Sequence, residues 1–432
     1  MRTSEYDKTL YYLFGLRTFG IHLGLEVPKL LAAKVGNPQR RYPAVHIAGT
    51  NGKGTTAALI ESVLREKGLK TGLYTSPHLV NFNERIRVNG TPIEDGAIMD
   101  YADYLKDSVD KNGASFFEAT TVIALKYFAD MEVDIVVAEA GLGARLDTTM
   151  LVEPVISAIT SINLDHTKYL GETVKEIAAE KVHVMRWGIP CIVGNNSRTV
   201  FNIFDEFARK SKSEYKKASD LCSIPNIVYG KGDVKVEARF KDRSIADLSV
   251  PLMGVHQREN IQTSLAVIDT IPDISISDEQ IKRGFGEVSF RGRMEIVSEE
   301  PSVIYDVAHN PSAVKSLIES VQLHYPDRKI TGLLALLKGK DYEGILNELV
   351  RRVEFLVCTE IPGHDSVSSE TLADSGKALG IDTKSLPGFE EATKRGLSKL
   401  NEKSLLLIFG SHYVAEMVYD NFRLPHPYEV GA

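Results

Sequence analysis

Short, nearly continuous apolar runs alternate with helix-length amphipathic stretches along most of this chain, a pattern that allows little besides parallel sheets with crossover helices. The runs Ala44 to Ala48, Thr71 to Thr75, Val133 to Ala138, Val155 to Thr160 and Pro190 to Val193 read as strands covered on both faces. Ser115 to Met131 sets Phe116, Thr120, Ile123, Ala124 and Tyr127 at helical spacing, which predicts one core-facing stripe. From about Ser213 to Val250 the runs shorten and alternate, as in Val234 to Ala238 and Ile245 to Leu248, and predict a small antiparallel excursion. A second α/β series starts near Met294, with strands at Val303 to Val307, Ile330 to Leu334, Phe355 to Thr359 and Leu405 to Phe409. The 432 residues are therefore expected to form a larger α/β domain, 1–290, and a smaller Rossmann-like α/β domain, 291–432, hinged at Phe290-Arg291-Gly292-Arg293. Ligands commonly bind in the cleft such a pair encloses.

Composition narrows the functional classes. The 51 Lys+Arg against 58 Asp+Glu give a formal charge of -7, without the basic excess that phosphate-backbone binding needs, so no nucleic-acid partner is expected. The charges are mixed along the chain, and no membrane-surface patch stands out. Met1 to Lys8 carries acidic residues and leads into no apolar segment, and the longest apolar runs fall short of a membrane span. Cys191, Cys222 and Cys358 are odd in number and far apart, which suits reduced, buried thiols and a cytoplasmic protein.

Chemistry concentrates first in Gly49-Thr50-Asn51-Gly52-Lys53-Gly54-Thr55, between the strand ending at Ala48 and the helical stretch Ala57 to Lys67. Glycines let backbone N–H groups approach phosphate oxygens, a helix N-terminus adds partial positive charge, and Lys53 brings a mobile cation. The larger domain is thus expected to be a P-loop ATPase domain. Ile47 stands where a strict Walker loop has its first glycine, and Gly54 separates Lys53 from Thr55, which disfavours the kinase and GTPase subtypes. Ser76 and Glu139 follow predicted strands and suit a magnesium ion bridged to phosphate. On residue type alone, His166 reads as structural and Lys181, in the amphipathic stretch Thr173 to Met185, as a solvated surface residue.

Taken together, the motifs resemble the folylpolyglutamate synthase and dihydrofolate synthase family, relatives of the muramyl peptide ligases. They include Gly24-Leu25-Glu26, His46 to Gly54, Thr75-Ser76-Pro77-His78, Asn83-Glu84-Arg85-Ile86, Glu139 to Gly143, Arg145-Leu146-Asp147, Asp165-His166, Glu180-Lys181, Gly254 to Gln257 with Asn260, Gly292 to Glu295, Asp306 to Pro311 and Gly410-Ser411. The resemblance implies an ATP-dependent ligase that phosphorylates a folate-type carboxylate, of dihydropteroate or a tetrahydrofolate, and passes it to the amine of L-glutamate, releasing ADP and phosphate. It implies that Lys53 and its loop hold ATP, that Ser76 and Glu139 hold one Mg²⁺, and that His166 and a carbamylated Lys181 hold a second. It sets Gln257 and Asn260 near the nucleoside, Arg291 near the phosphates, and Asp306 and His309 near nucleotide and glutamate, with His309 orienting or deprotonating the amine. Asp147, Thr148 and Ser411 would touch substrate. The partners implied are small molecules only, and a monomer is expected.

Three departures from the family pattern stand out. Gly143-Ala144-Arg145-Leu146-Asp147-Thr148-Thr149-Met150 differs at Ala144, Thr148 and Met150 near the expected pterin, Val182-His183-Val184 adds bulk after Lys181, and Val307 replaces a glycine after Asp306. A ligase of the same fold that joins a different carboxylate to an amino acid is the alternative these changes leave open.

Overall fold

The buried apolar runs become the centre of an eight-stranded sheet in the computed structural model, which describes residues 4–16 and 24–427. Of the N-terminal stretch read above, residues 1–3 lie outside the described residues. The strands are β1 (Ala44–Ala48), β2 (Thr71–Tyr74), β3 (Ile86–Val88), β4 (Thr91–Pro92), β5 (Ile135–Glu139), β6 (Pro154–Ile159), β7 (Cys191–Val193) and β8 (Lys216–Lys217), in spatial order β4-β3-β2-β5-β1-β6-β7-β8. From β2 to β8 the pairing is parallel, while β3 and β4 form an antiparallel edge. The expected start of β5 at Val133 falls two residues early, because the Val133 amide bonds back to Phe128 O and closes the preceding helix.

The antiparallel excursion is present as β9 (Ser223–Tyr229), β10 (Val234–Arg239) and β11 (Ser244–Val250). A third sheet carries β12 (Glu295–Ser298), β13 (Val303–Asp306), β14 (Lys329–Ala335), β15 (Phe355–Thr359), β16 (Thr383–Ser385) and β17 (Ser404–Phe409), in order β12-β13-β17-β14-β15-β16, parallel except for β12.

Helix burial exceeds the sequence expectation. Phe116–Asp130 buries Ala119, Thr121, Val122 and Leu125 as well as Phe116, Thr120, Ile123 and Ala124 of the predicted stripe, with Tyr127 half-buried, because it packs against other helices besides the sheet. Ser115 caps it, accepting from the Glu118 amide while Glu118 returns a bond to the Ser115 amide. Lys53–Glu66 is buried from Gly54 to Leu64, clasped by the helices Gln257–Thr270 and Asp278–Gly286. Ser62 Oγ donates to Gly284 O at 2.6 Å across that contact, where a Cβ on Gly284 would lie 2.7 Å from Val63 Cα. The three cysteines are free and buried, as their spacing predicts. Among the described residues no helix is long and apolar enough to cross a membrane.

Parallel strands gather their carboxyl ends at one edge, and ligands bind in the crevice outside that edge. Here two such edges meet. The ends of β1, β2, β5, β6 and β7 face the ends of β13, β14 and β17 across a cavity of about 1140 Å³.

Candidate active site

The floor of the cavity is the loop after β1. Gly49 and Gly52 hold φ of 148° and 83°, backbone that residues with a side chain rarely adopt. A Cβ on Gly52 would also run into the Asn260 carboxamide, and one on Gly54 would stand 2.7 Å from the Phe290 ring. Thr50 N donates to Ser161 O at 2.7 Å, and Thr160 Oγ1 donates to Asn51 O at 2.7 Å, so β6 fixes the loop through its backbone. Lys53 opens the helix that follows and lies 3.7 Å from Glu139 Oε1, while Glu139 Oε2 accepts from the Ser76 amide at 3.0 Å. Burial pushes the Glu139 carboxyl above its usual range against the pull of Lys53.

Thr50, Asn51, Gly52, Lys53, Gly54, Thr55, Ser76, Glu139, Asp147, Thr148, His166, Asn260, Asp306, His309 and Ser411 all line the cavity, so most residues singled out in the sequence are brought together. Asp147 Oδ2 accepts from Leu142 N at 2.7 Å, and Oδ1 accepts from Thr149 N at 2.9 Å and from Thr149 Oγ1 at 2.5 Å. Burial raises the Asp147 carboxyl pKa against these bonds. Asp306 spends its carboxylate on the amides of Met294 and Ala308, at 2.8 and 2.7 Å, and burial raises it too. Val307 takes no positive φ, so the substitution after Asp306 carries no backbone strain. Ser411 Oγ accepts from Tyr413 N at 3.2 Å.

Several placements differ from the sequence reading. Arg291 is not brought to the cavity; it pairs with Glu295 at 2.6 Å and lies over the Tyr419 ring, because the carboxylate and the ring on that side compete for its guanidinium. Arg293, two residues on, faces the cavity instead. Gln257 is fully buried behind the wall and braces Asn260, accepting from its Nδ2 at 3.0 Å. Lys181 is no solvated residue: only 4% exposed, it donates from Nζ to Gly49 O at 2.7 Å from beneath the loop, and burial lowers its amine to about 7. Burial also lowers His166 to about 3. His183 turns away to Phe207, with ring centroids 4.9 Å apart.

The far wall holds a network that sequence reasoning missed. Asp165 Oδ1 accepts from Lys340 Nζ at 2.7 Å, while Oδ2 lies 3.3 Å from His309 Nε2 and accepts from Asn310 Nδ2 at 3.2 Å. Asn310 Nδ2 also reaches Asn51 Oδ1 at 3.2 Å, and His309 Nδ1 is 2.9 Å from Val307 O. Burial opposes the Asp165 charge, but the His309 bond and the surrounding His309, His166 and Lys340 hold its carboxyl well below the usual range. Asp165 stood in the sequence only as the neighbour of His166. Lys340 had no signal distinguishing it from Lys338, whose side chain is 70% exposed against 18% for Lys340. Arg85, in the Asn-Glu-Arg-Ile motif, lines the cavity with its guanidinium over Phe116.

Among the described residues no group of three or more His, Cys, Asp or Glu side chains could hold a metal ion. Ser76 and Glu139 nonetheless supply a hydroxyl and a carboxylate beside the phosphate loop, hard oxygen donors of the kind magnesium shares with phosphate oxygens. His166 with an unmodified Lys181 amine is not such a set.

Two domain families match the chain in succession. The model of the Mur ligase middle domain matches residues 47–268, and that of the Mur ligase, glutamate ligase domain matches residues 292–412. The chain is 33% identical over 356 residues to dihydrofolate synthase/folylpolyglutamate synthase of Bacillus subtilis (strain 168), over 80% of this chain and 83% of that protein. Mycobacterium tuberculosis folylpolyglutamate synthase complexed with ADP and AMPPCP superposes with a TM-score of 0.89 at 26% identity, over 97% of this chain and 99% of that one. Escherichia coli FolC in complex with DHPP and ADP gives 0.86 at 30% identity, over 96% and 98%.

Proposed function

This chain belongs to the dihydrofolate synthase/folylpolyglutamate synthase family, and from that premise we propose that it joins L-glutamate to the carboxylate of dihydropteroate, a tetrahydrofolate, or both. The observation that carries the reading is the meeting of the two strand-end edges: one cavity is lined by the phosphate loop, by the Asp147 turn, and by His309 and Ser411 of the third sheet. Three reactants, a nucleotide, an acid and an amine, need three walls.

The acid's carboxylate oxygen attacks the γ-phosphorus of ATP, the bond to the β-phosphate oxygen breaks, and ADP departs. The amine then attacks the acyl carbon, the bond to phosphate breaks, and the amine gives up its proton. Both partners of the first step are anionic, so the protein's contribution is alignment and charge neutralisation. Lys53 and the loop amides supply it on one side and Arg293 on the other, the role the sequence reading gave to Arg291. Magnesium held by Ser76 and Glu139 would add positive charge on the phosphate oxygens. His309, with Asp165 beside it, orients the glutamate amine or takes its proton. Ser411 contacts glutamate, Asp147 and Thr148 the other acid, and Asn260 with Asp306 the nucleoside.

Lys181 is proposed to react with CO₂. A buried amine near pKa 7 has the neutral form that this requires, and the carbamate would give it the oxygens that a second magnesium beside His166 needs. The first sheets end at Val250 and the last begins at Glu295, which supports domains at 1–290 and 291–432 hinged between them. The free thiols support a cytoplasmic location.

The test is glutamate-dependent ADP release with Mg-ATP on dihydropteroate and on a tetrahydrofolate, with mass spectrometry of the products. A glutamyl product from either is expected. ATP binding without such a product would leave the ligase fold and overturn the folate substrate, as the altered Thr148 and Met150 turn would allow for a different acid.

A further inference from the structure

A histidine in the middle of a fully buried parallel strand needs a reason. His46 lies in β1, 0% exposed, where Val45 and Ile47 fill the neighbouring positions. One ring nitrogen, Nδ1, is buried without a hydrogen-bond partner, a cost an apolar residue would avoid. The other, Nε2, is 2.9 Å from Thr149 Oγ1. Thr149 Oγ1 has one proton, and it goes to Asp147 Oδ1 at 2.5 Å, so His46 must donate through Nε2–H. Complete burial, and after it the neighbouring Arg186, keep the ring neutral, with a pKa lowered to about 3.

The result is a directed relay, His46 Nε2–H to Thr149 Oγ1–H to Asp147 Oδ1. With the Thr149 amide also bonded, Oδ1 has both lone pairs filled, and Oδ2 has one filled by Leu142 N. A single Oδ2 lone pair is left on a carboxylate that lines the cavity. Arg186 secures the same turn from outside, donating to Met150 O and Val152 O at 3.0 Å each. The turn so gripped holds Thr148 and Met150, two of the positions where the chain departs from its family pattern.

We propose that His46 is a positioning residue for the acid substrate: through Thr149 it fixes the rotamer of Asp147 and aims that remaining lone pair at an N–H donor of the substrate. The inference rests on the folate-ligase reading for the side of the cavity that Asp147 serves. It separates His46 from the phosphate loop that starts three residues later, because the relay runs away from Gly49.

The experiment measures KM for dihydropteroate and for ATP, and direct dihydropteroate binding by titration calorimetry, in wild type, His46→Leu, Thr149→Val and the double variant. Each single variant is expected to raise the dihydropteroate KM and Kd about tenfold, the scale of one lost hydrogen bond, with ATP KM within about twofold of wild type. The double variant is expected to be no worse than the worse single one, since both cut the same relay. His46→Gln and Thr149→Ser, which keep the donor and the hydroxyl, should recover most of the binding, and they carry the test if His46→Leu does not fold. Additive effects, or a parallel rise in ATP KM, would overturn the relay in favour of a general packing role. Equal dihydropteroate binding by wild type and all variants would overturn it while leaving the function intact. Absence of binding by the folded wild type of both dihydropteroate and a tetrahydrofolate would overturn both.

Discussion

The phosphate loop and the wall around Asp165 are both dense polar regions on one cavity, yet they are held in opposite ways. The loop is fixed by its own backbone, through the Thr50 amide on Ser161, the Asn51 carbonyl on Thr160 and the Gly49 carbonyl on Lys181. The wall is held by side-chain charge, with Lys340, His309 and Asn310 all directed at one carboxylate. Backbone bonds of the first kind leave the loop shaped for phosphate before any ligand arrives. Ionic contacts of the second kind can be exchanged for those of an incoming anion, so the wall can yield where the loop cannot.

The comparison breaks most visibly at the cations. Lys53→Ala should cut ADP release by roughly 10²–10³-fold while leaving the loop folded, because the bonds at Thr50 N, Asn51 O and Gly49 O remain and only the 3.2 Å bond from Lys53 Nζ to Thr50 O is lost. Near-wild-type turnover would show that the loop amides suffice and that Lys53 is not the phosphate cation. On the third-sheet side, Arg293→Ala is expected to lower kcat roughly 10-fold or more. Arg291→Ala, whose guanidinium is occupied by Glu295 and Tyr419, should leave kcat unchanged and cost no more than about 1 kcal/mol of stability. Reversed effects in steady-state kinetics would restore Arg291 to the phosphates.

That pair of arginines shows how far the sequence could be read. Strands such as β1 and β15 were legible to the residue because unbroken apolar runs have few other uses, and the loop was legible because glycine spacing encodes backbone conformation directly. Arg291 and Arg293 flank one glycine with equal claims, and only the position of Glu295 and Tyr419 decides which of them turns inward. Lys340 was illegible and Lys181 was legible only through the family resemblance, for the same reason: a lysine on an amphipathic stretch reads as solvated until the fold buries it beneath Gly49 or sets it against Asp165. Contacts between segments 175 residues apart leave no local pattern.

Asp165→Asn tests whether the wall is held by charge. The variant keeps the shape and loses the ion pairs, and a loss of about 1–3 kcal/mol at pH 7 is expected in chemical denaturation, with a raised glutamate KM. The sign with pH follows from the depressed carboxyl. Its contribution is fully present above the unfolded value of about 4 and is lost as pH falls below that, because the unfolded chain binds the proton first. Wild type and variant should therefore converge in stability toward acid. Parallel curves would mean that Asp165 holds the wall by hydrogen bonds alone.

Lys181→Met sharpens the other half of the comparison, since the Lys181 amine props the loop's backbone from beneath, at the Gly49 carbonyl. In the fold its amine is lowered to about 7, whereas in the unfolded chain it titrates near 10.4. Between those values the unfolded state carries a proton that the folded state lacks, so wild-type stability should rise with pH relative to the variant, by on the order of a few kcal/mol from pH 7 to 10, and hold level below pH 7. Urea titrations in CO₂-free buffer read that slope. Bicarbonate should raise wild-type stability at pH 7 to 8 and move the onset of the rise below pH 7, because a carbamate takes up the neutral amine of the folded state, and ¹³C-labelled bicarbonate should give a carbamate resonance absent from Lys181→Met. A wild-type curve parallel to the variant's without CO₂ would mean that the amine stays protonated beneath Gly49, which would make the prop a fixed cation and leave carbamylation without its reactive form.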